Sequence, residues 1–137
     1  MKFKLFLLML ICTSCTHTES KPTRVLFNIP PLVRSNIDEV VKALGKPDFY
    51  PKPTDNEKSY CEYEKDGWRL SIRYYPDTGK VIEFFIFSPV GYEYKNVEDV
   101  LRVGNLSAVA FDYLVIPGSE LYASPGTYSY VTVVPKF

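Results

Sequence analysis

The chain has 137 residues, 46% hydrophobic and 15% aromatic, which suffices for one domain with a buried core. Its 16 Lys and Arg are matched by 16 Asp and Glu, so no basic excess is available to neutralise phosphates and nucleic acid is not expected as a partner. The one histidine, His17, lies far toward the N-terminus, which excludes a histidine-bearing triad, a Cys–His pair and a His-rich zinc site from the rest of the chain.

In chain order, Lys2 and Lys4 accompany an otherwise apolar run over residues 3–11, and Thr13 and Ser14 lead directly into Cys15. The run is about half of the ~20 residues needed to cross a bilayer, so it reads as a secretory signal and not as a span. A cysteine placed just after small residues resembles a lipobox. Residues 1–14 are therefore the expected lipoprotein signal peptide, and Cys15 is the expected lipidation site. Removing those 14 residues leaves 123, with 14 basic against 16 acidic groups and a net charge near −2. Thr16 follows the cysteine where an Asp would retain the protein at the inner membrane, which favours the outer membrane. Residues 15–24 are polar, include Pro22, and read as a flexible tether; residues 25–137 form one domain.

Residues 25–29 are apolar and read as a first strand, stopped by Pro30 and Pro31. A helix signal follows. Ser35 or Asn36 can cap it, with Asp38 or Glu39 three residues on, and Ile37, Val40, Val41 and Leu44 make one apolar stripe. Gly45 suits a left-handed C-cap and Pro47 forbids continuation. Residues 48–59 carry Pro51 and Pro53 and read as a loop. Residues 60–64 then form a strand that runs into Asp66-Gly67, a strong hairpin marker. Trp68, Leu70, Ile72 and Tyr74 alternate with Arg69, Ser71 and Arg73, a strand with one wet face. After the turn at residues 76–79, residues 81–87 are almost uniformly apolar, as for a central strand covered on both faces.

A second helix is expected over residues 96–104. This segment echoes residues 36–45 at an offset of 60, with one residue deleted before the glycine. Residues 109–116 and 128–134 read as two further strands, although residues 106–114 also fit a helix. Two explanations fit the echo. The chain holds two tandem helix–strand units, residues 35–88 and 95–136, or capped amphipathic helices have converged on similar strings. Either way the fold class is α+β: an antiparallel sheet with two short helices packed on one face.

The helix ending in Leu44-Gly45-Lys46-Pro47-Asp48, its loop and the meander up to Phe87 resemble the SmpA/OmlA family of small outer-membrane lipoproteins, and more widely the β-lactamase-inhibitor-like fold. The resemblance implies an accessory of the barrel-assembly machinery, a binding module and not a catalyst, and no cofactor.

The residues themselves hold little chemistry. Asp38, Glu39, Glu98 and Asp99 occupy first helical turns, where the helix dipole already accounts for acids. Glu62 and Glu64 share a strand face with Glu83 near, which would suit a glycosidase carboxylate pair only at roughly 5 to 9.5 Å; solvated strand faces carry Glu routinely. No calcium-loop spacing or Gly-rich phosphate loop occurs, and no metal site is expected. Cys61 reads as a small buried hydrophobe.

Eleven tyrosines are too many for so small a core. Trp68, Tyr74, Tyr75, Tyr92 and Tyr94 are the candidate binding residues, because aromatics bury large areas at interfaces for little entropy; β-propensity alone is the competing explanation. The expected function is that of a lipid-anchored envelope protein, held to the membrane through its N-terminal lipid, that binds a protein partner without catalysis. An inhibitor or immunity-type protein and a glycan-binding lipoprotein are the alternatives.

Overall fold

The computed structural model describes residues 21–50 and 58–137. The signal peptide, Cys15, His17, the first part of the tether and the prolines Pro51 and Pro53 lie outside the described residues. Among the described residues, no helix is long and apolar enough to cross a membrane.

Two helices and five strands follow one another as α1 (Ile37–Leu44), β1 (Ser59–Lys65), β2 (Trp68–Tyr74), β3 (Val81–Phe87), α2 (Val97–Val103), β4 (Tyr113–Gly118) and β5 (Tyr130–Pro135). The strands make one antiparallel sheet in the order β1-β2-β3-β5-β4. The fold is α+β, as the sequence leads one to expect. Asp66 and Gly67 both have positive φ, 51° and 80°, the geometry of the two-residue primed turn that joins β1 to β2. A bulge at Arg73/Tyr74 re-registers β2 against β3.

One face of the sheet carries the core. Cys61, Leu70, Ile72, Phe84, Ile86, Val131 and Val133 are completely buried there, in one cluster with Ile37 and Val40 of α1 and Val100, Leu101 and Val103 of α2. Asn36 caps α1 in a complete capping box: its Oδ1 accepts from the Glu39 N–H at 3.0 Å, and Glu39 Oε2 accepts from the Asn36 N–H at 2.9 Å. The Tyr63 hydroxyl donates to the Gly45 carbonyl at 3.0 Å, tying the end of this helix to β1.

The second helix departs from the pattern of the first. Asn96 makes no side-chain cap. Gly104 has φ −92°, and the left-handed residue is Asn105 at φ 55°, in register with Gly45 at the offset of 60 without any deletion. The Leu106 N–H donates to the Leu101 carbonyl at 3.0 Å and the Asn105 N–H to that of Arg102 at 3.1 Å, which completes a Schellman closure. Only the positive-φ positions thus align, because Gly45 is itself the C-cap of α1 and Asn105 lies one residue past that of α2; three strands follow α1 and two follow α2.

Three expectations need correction. Residues 25–29 are no strand of the sheet. They run across the end of α2, where the N–H groups of Leu26 and Phe27 take the Val103 carbonyl, both at 2.9 Å, and that of Ile29 takes the Gly104 carbonyl at 3.1 Å. Helix-end carbonyls that would otherwise be orphaned meet an apolar segment whose Phe27 and Ile29 are fully buried. Residues 106–112 are neither helix nor strand, so β4 starts at Tyr113 and not at residue 109. Finally, β3 is central in the sheet, but the described residues cover it on one face only.

Candidate functional site

The face of the sheet that no described element covers is built by alternation along each strand. Cross-strand partners in an antiparallel sheet share a face, so Glu64, Arg69, Phe87, Tyr130 and Gly118 make one row, and Glu62, Ser71, Phe85, Thr132 and Ile116 make the next. Leu114 and Val134 pair beyond them, as do Tyr60 and Arg73 on the β1 side. Leu114 and Ile116 are about half exposed, and Phe85, Phe87, Tyr130 and Val134 are partly so.

The face divides into two halves. Over β1, β2 and the start of β3 it is charged: Arg73 pairs with Glu83 of β3 at 2.7 Å and Arg69 approaches Glu62 at 4.0 Å. Over β3, β5 and β4 it is aromatic and aliphatic. Phe85 and Phe87 stack at 6.1 Å, and Phe87 meets Tyr130 at 5.8 Å. The two halves are joined by the arginines, since the Arg69 guanidinium sits 4.6 Å from the Phe87 ring and that of Arg73 5.7 Å from the Phe85 ring. Exposed ion pairs and cation–π contacts each contribute about 1 kcal/mol or less. Their main effect is to hold both arginines in place before anything binds.

Tyr130 owes its position to Gly118. A Cβ at residue 118 would run into the Tyr130 ring, so the missing side chain lets that ring lie across the backbone of β4. Tyr60 and Phe49, with rings 5.7 Å apart, add a second aromatic pair at the β1 edge, where Phe49 bridges to Glu62.

The candidates named from the sequence fall elsewhere. Trp68, Tyr74 and Tyr94 are core residues, each at most 3% exposed, with the Trp68 and Tyr94 rings 5.4 Å apart. They offer no ring face to a ligand. Tyr75 is exposed at the β2–β3 turn, and Tyr92 is half-buried in the loop after β3, at the opposite end of the sheet. The five residues therefore do not form one site. Phe85, Phe87 and Tyr130 were hidden in sequence because a uniformly apolar strand looks the same whether one or both faces are covered. The signal available was cross-strand: β2 alternates with Arg and Ser, so the strand beside it shares an uncovered face.

Two of the carboxylates considered for catalysis have other partners: Glu62 and Glu83 each face an arginine. Next to them, Asp48 Oδ2 accepts from the backbone N–H of Glu64 at 2.7 Å. Among the described residues, no three His, Cys, Asp or Glu side chains converge as a metal site would require. Burial, reinforced by the nearby Glu62 charge, pushes the Cys61 thiol up to about 12, so it stays protonated and unreactive. A shallow groove of about 400 Å³ runs between α2 and the loop after it, lined by Glu98, Arg102, Asn105 and Ser107 among others, and it gathers no such chemistry.

No protein-family model, curated protein or solved structure matches this chain.

Proposed function

We propose that the chain is a lipid-anchored envelope protein whose domain is a non-catalytic binding module. It holds a protein partner on the β3–β5–β4 half of its open sheet face. One observation carries this reading: an apolar strip of Phe85, Phe87, Tyr130, Leu114 and Ile116 faces outward with no described element over it. Contiguous exposed apolar surface with a polar rim is the mark of an interaction site, and pinned arginines beside aromatics are the residues from which binding hot spots are made. A partner finds these side chains already ordered, which lowers the entropic cost of binding.

A protein fits this strip better than a glycan does. Trp68, the best sugar platform in the chain, is buried, and Leu114, Ile116 and Val134 offer branched aliphatic surface instead of flat rings. The signal-like N-terminus and Cys15 support the anchor, and the SmpA/OmlA resemblance supports the same class of role. Anchoring raises the effective concentration of a weak binder at the membrane without any new contact.

The test is cross-linked co-isolation from the native envelope with the wild-type chain, Cys15→Ser and Ile116→Arg. The proposal expects a defined envelope protein with the wild type and its loss with both variants. Unchanged recovery with Ile116→Arg would overturn the sheet-face reading. Recovery of one soluble protein irrespective of Cys15 would favour an inhibitor.

A further inference from the structure

The antiparallel order places the β1–β2 turn, the β3–α2 loop and the β4–β5 loop at one end of the sheet, and the latter two are braced together. The Glu93 carboxylate accepts from the Ser124 N–H at 3.2 Å and the Thr127 hydroxyl at 3.0 Å. Tyr94 and Tyr128 exchange backbone hydrogen bonds of 2.9 and 2.7 Å, and the Ser88 N–H donates to the Ser129 carbonyl at 2.8 Å. A narrow cleft lined by Pro89, Gly91, Glu120 and Ala123 lies between the two loops. From these loops project Val90, Leu121 and Tyr122, which are 98%, 88% and 95% exposed. Residues 88–91 and 121–126 carry no charge at all.

The N-terminal segment arrives at this same end. Arg24 pairs with Asp66 of the β1–β2 turn, and the Lys21 ammonium lies 6.0 Å from the Tyr92 ring in the β3–α2 loop. Lys21 follows Cys15 by six residues, at most about 20 Å of extended chain. A lipid on Cys15 would therefore attach the domain at this end of the sheet.

We propose that Val90, Leu121 and Tyr122 are a membrane-docking tip that enters the headgroup and upper acyl region beside the lipid anchor. The inference rests on the lipid-anchor reading for its geometry. Uncharged aliphatic tips with a tyrosine are the side chains that a bilayer interface accepts. Because the loops are cross-braced, little conformational freedom is lost on insertion. Docking by the lipid and the tip together holds the strands roughly along the membrane normal, so the open face stands clear of the bilayer, free for a partner. The far end of the sheet, with Val109 and Phe111 as exposed as the tip, lies about 20 Å away at seven residues per strand and serves as an internal control.

The experiment uses the full chain, processed in its native host, purified and reconstituted into vesicles of phosphatidylethanolamine with a minority of phosphatidylglycerol. An environment-sensitive fluorophore is placed at Tyr122→Cys in one sample and at Val109→Cys in another, and acyl-chain-borne quenchers are added. Cys61 is buried and does not label. The same samples are weighed intact to read acylation of Cys15. Quenching several-fold stronger at position 122 than at 109 supports the tip. Equal quenching on an acylated protein overturns the tip and leaves the anchor standing. An unacylated protein overturns the anchor; because its free Cys15 thiol would also take the fluorophore, position 122 is then read in a Cys15→Ser background, where quenching still supports the tip and its absence overturns both.

Discussion

Gly104→Ala separates two explanations of why a glycine ends α2. Chain entropy and helix propensity favour alanine over glycine by about 0.5–1 kcal/mol wherever φ is ordinary, and Gly104 has an ordinary φ of −92°. The packing says the opposite. A Cβ there would lie 2.5 Å from Ile86 Cδ1 and 2.8 Å from Leu106 Cδ1. Ile86 is completely buried in β3, so its methyl can retreat only by displacing the core. Overpacking of this kind costs about 1–3 kcal/mol, which outweighs the entropic gain and leaves a net loss of about 1–2 kcal/mol. For a domain of this size that is a fall of about 4–8 °C in Tm. Unfolding in urea, followed through the buried Trp68, reads it as a lower midpoint at unchanged slope. Ile86→Val removes the obstructing methyl at a cost of about 1 kcal/mol. In that background Gly104→Ala should cost about 1 kcal/mol less than in the wild type, a coupling only neighbours show. A stabilised Gly104→Ala, or strict additivity with Ile86→Val, would refute the packing argument.

Three other outcomes follow from the same structure. Asn36→Ala should destabilise by about 1 kcal/mol and Asn96→Ala by a few tenths at most, because only Asn36 makes the capping box; thermal melts of the two variants check this. Cys61, with its thiol pushed up to about 12 by burial, should react with a disulfide reagent at pH 8 only as the protein unfolds, and rapid labelling of the native state would contradict its place in the core. The Thr127 hydroxyl, with further hydrogen bonds from Ser124, holds the Glu93 carboxyl below its ordinary value of 4.5. A depressed folded pKa stabilises above the unfolded value and is lost as pH falls through the folded one. The Tm gap between wild type and Glu93→Gln should therefore be full at pH 7 and close below pH 4.5.

What the sequence disclosed was local. Asn36, Glu39 and Gly45 mark α1 because caps act within one turn, and Asp66-Gly67 marks its hairpin because few residues tolerate two successive positive φ values. The alternation from Trp68 to Tyr74 gives both the strand and its buried side. What stayed hidden depends on distant partners. Residues 25–29 have the composition of a strand, yet their N–H groups meet the carbonyls of Val103 and Gly104, 75 to 77 residues on. The loop tyrosine Tyr94 has the address of a surface residue, but it packs on Trp68 inside the core. The open face stays hidden for the same reason: nothing within residues 81–87 says that no described element covers Phe85 and Phe87, and Tyr130 reaches them only because Gly118, on another strand, leaves room.

The central claim is that the β3–β5–β4 face holds a protein partner while the domain is tethered in the envelope. Its most direct test is site-specific photo-crosslinking in the native envelope, with a light-activated side chain at Leu114 or Ile116 on that face and at Lys42 on the exposed side of α1. The account predicts one discrete adduct of the same mass from both β4 positions and none from position 42. No adduct from the face, or equal adducts from the helix, would contradict it.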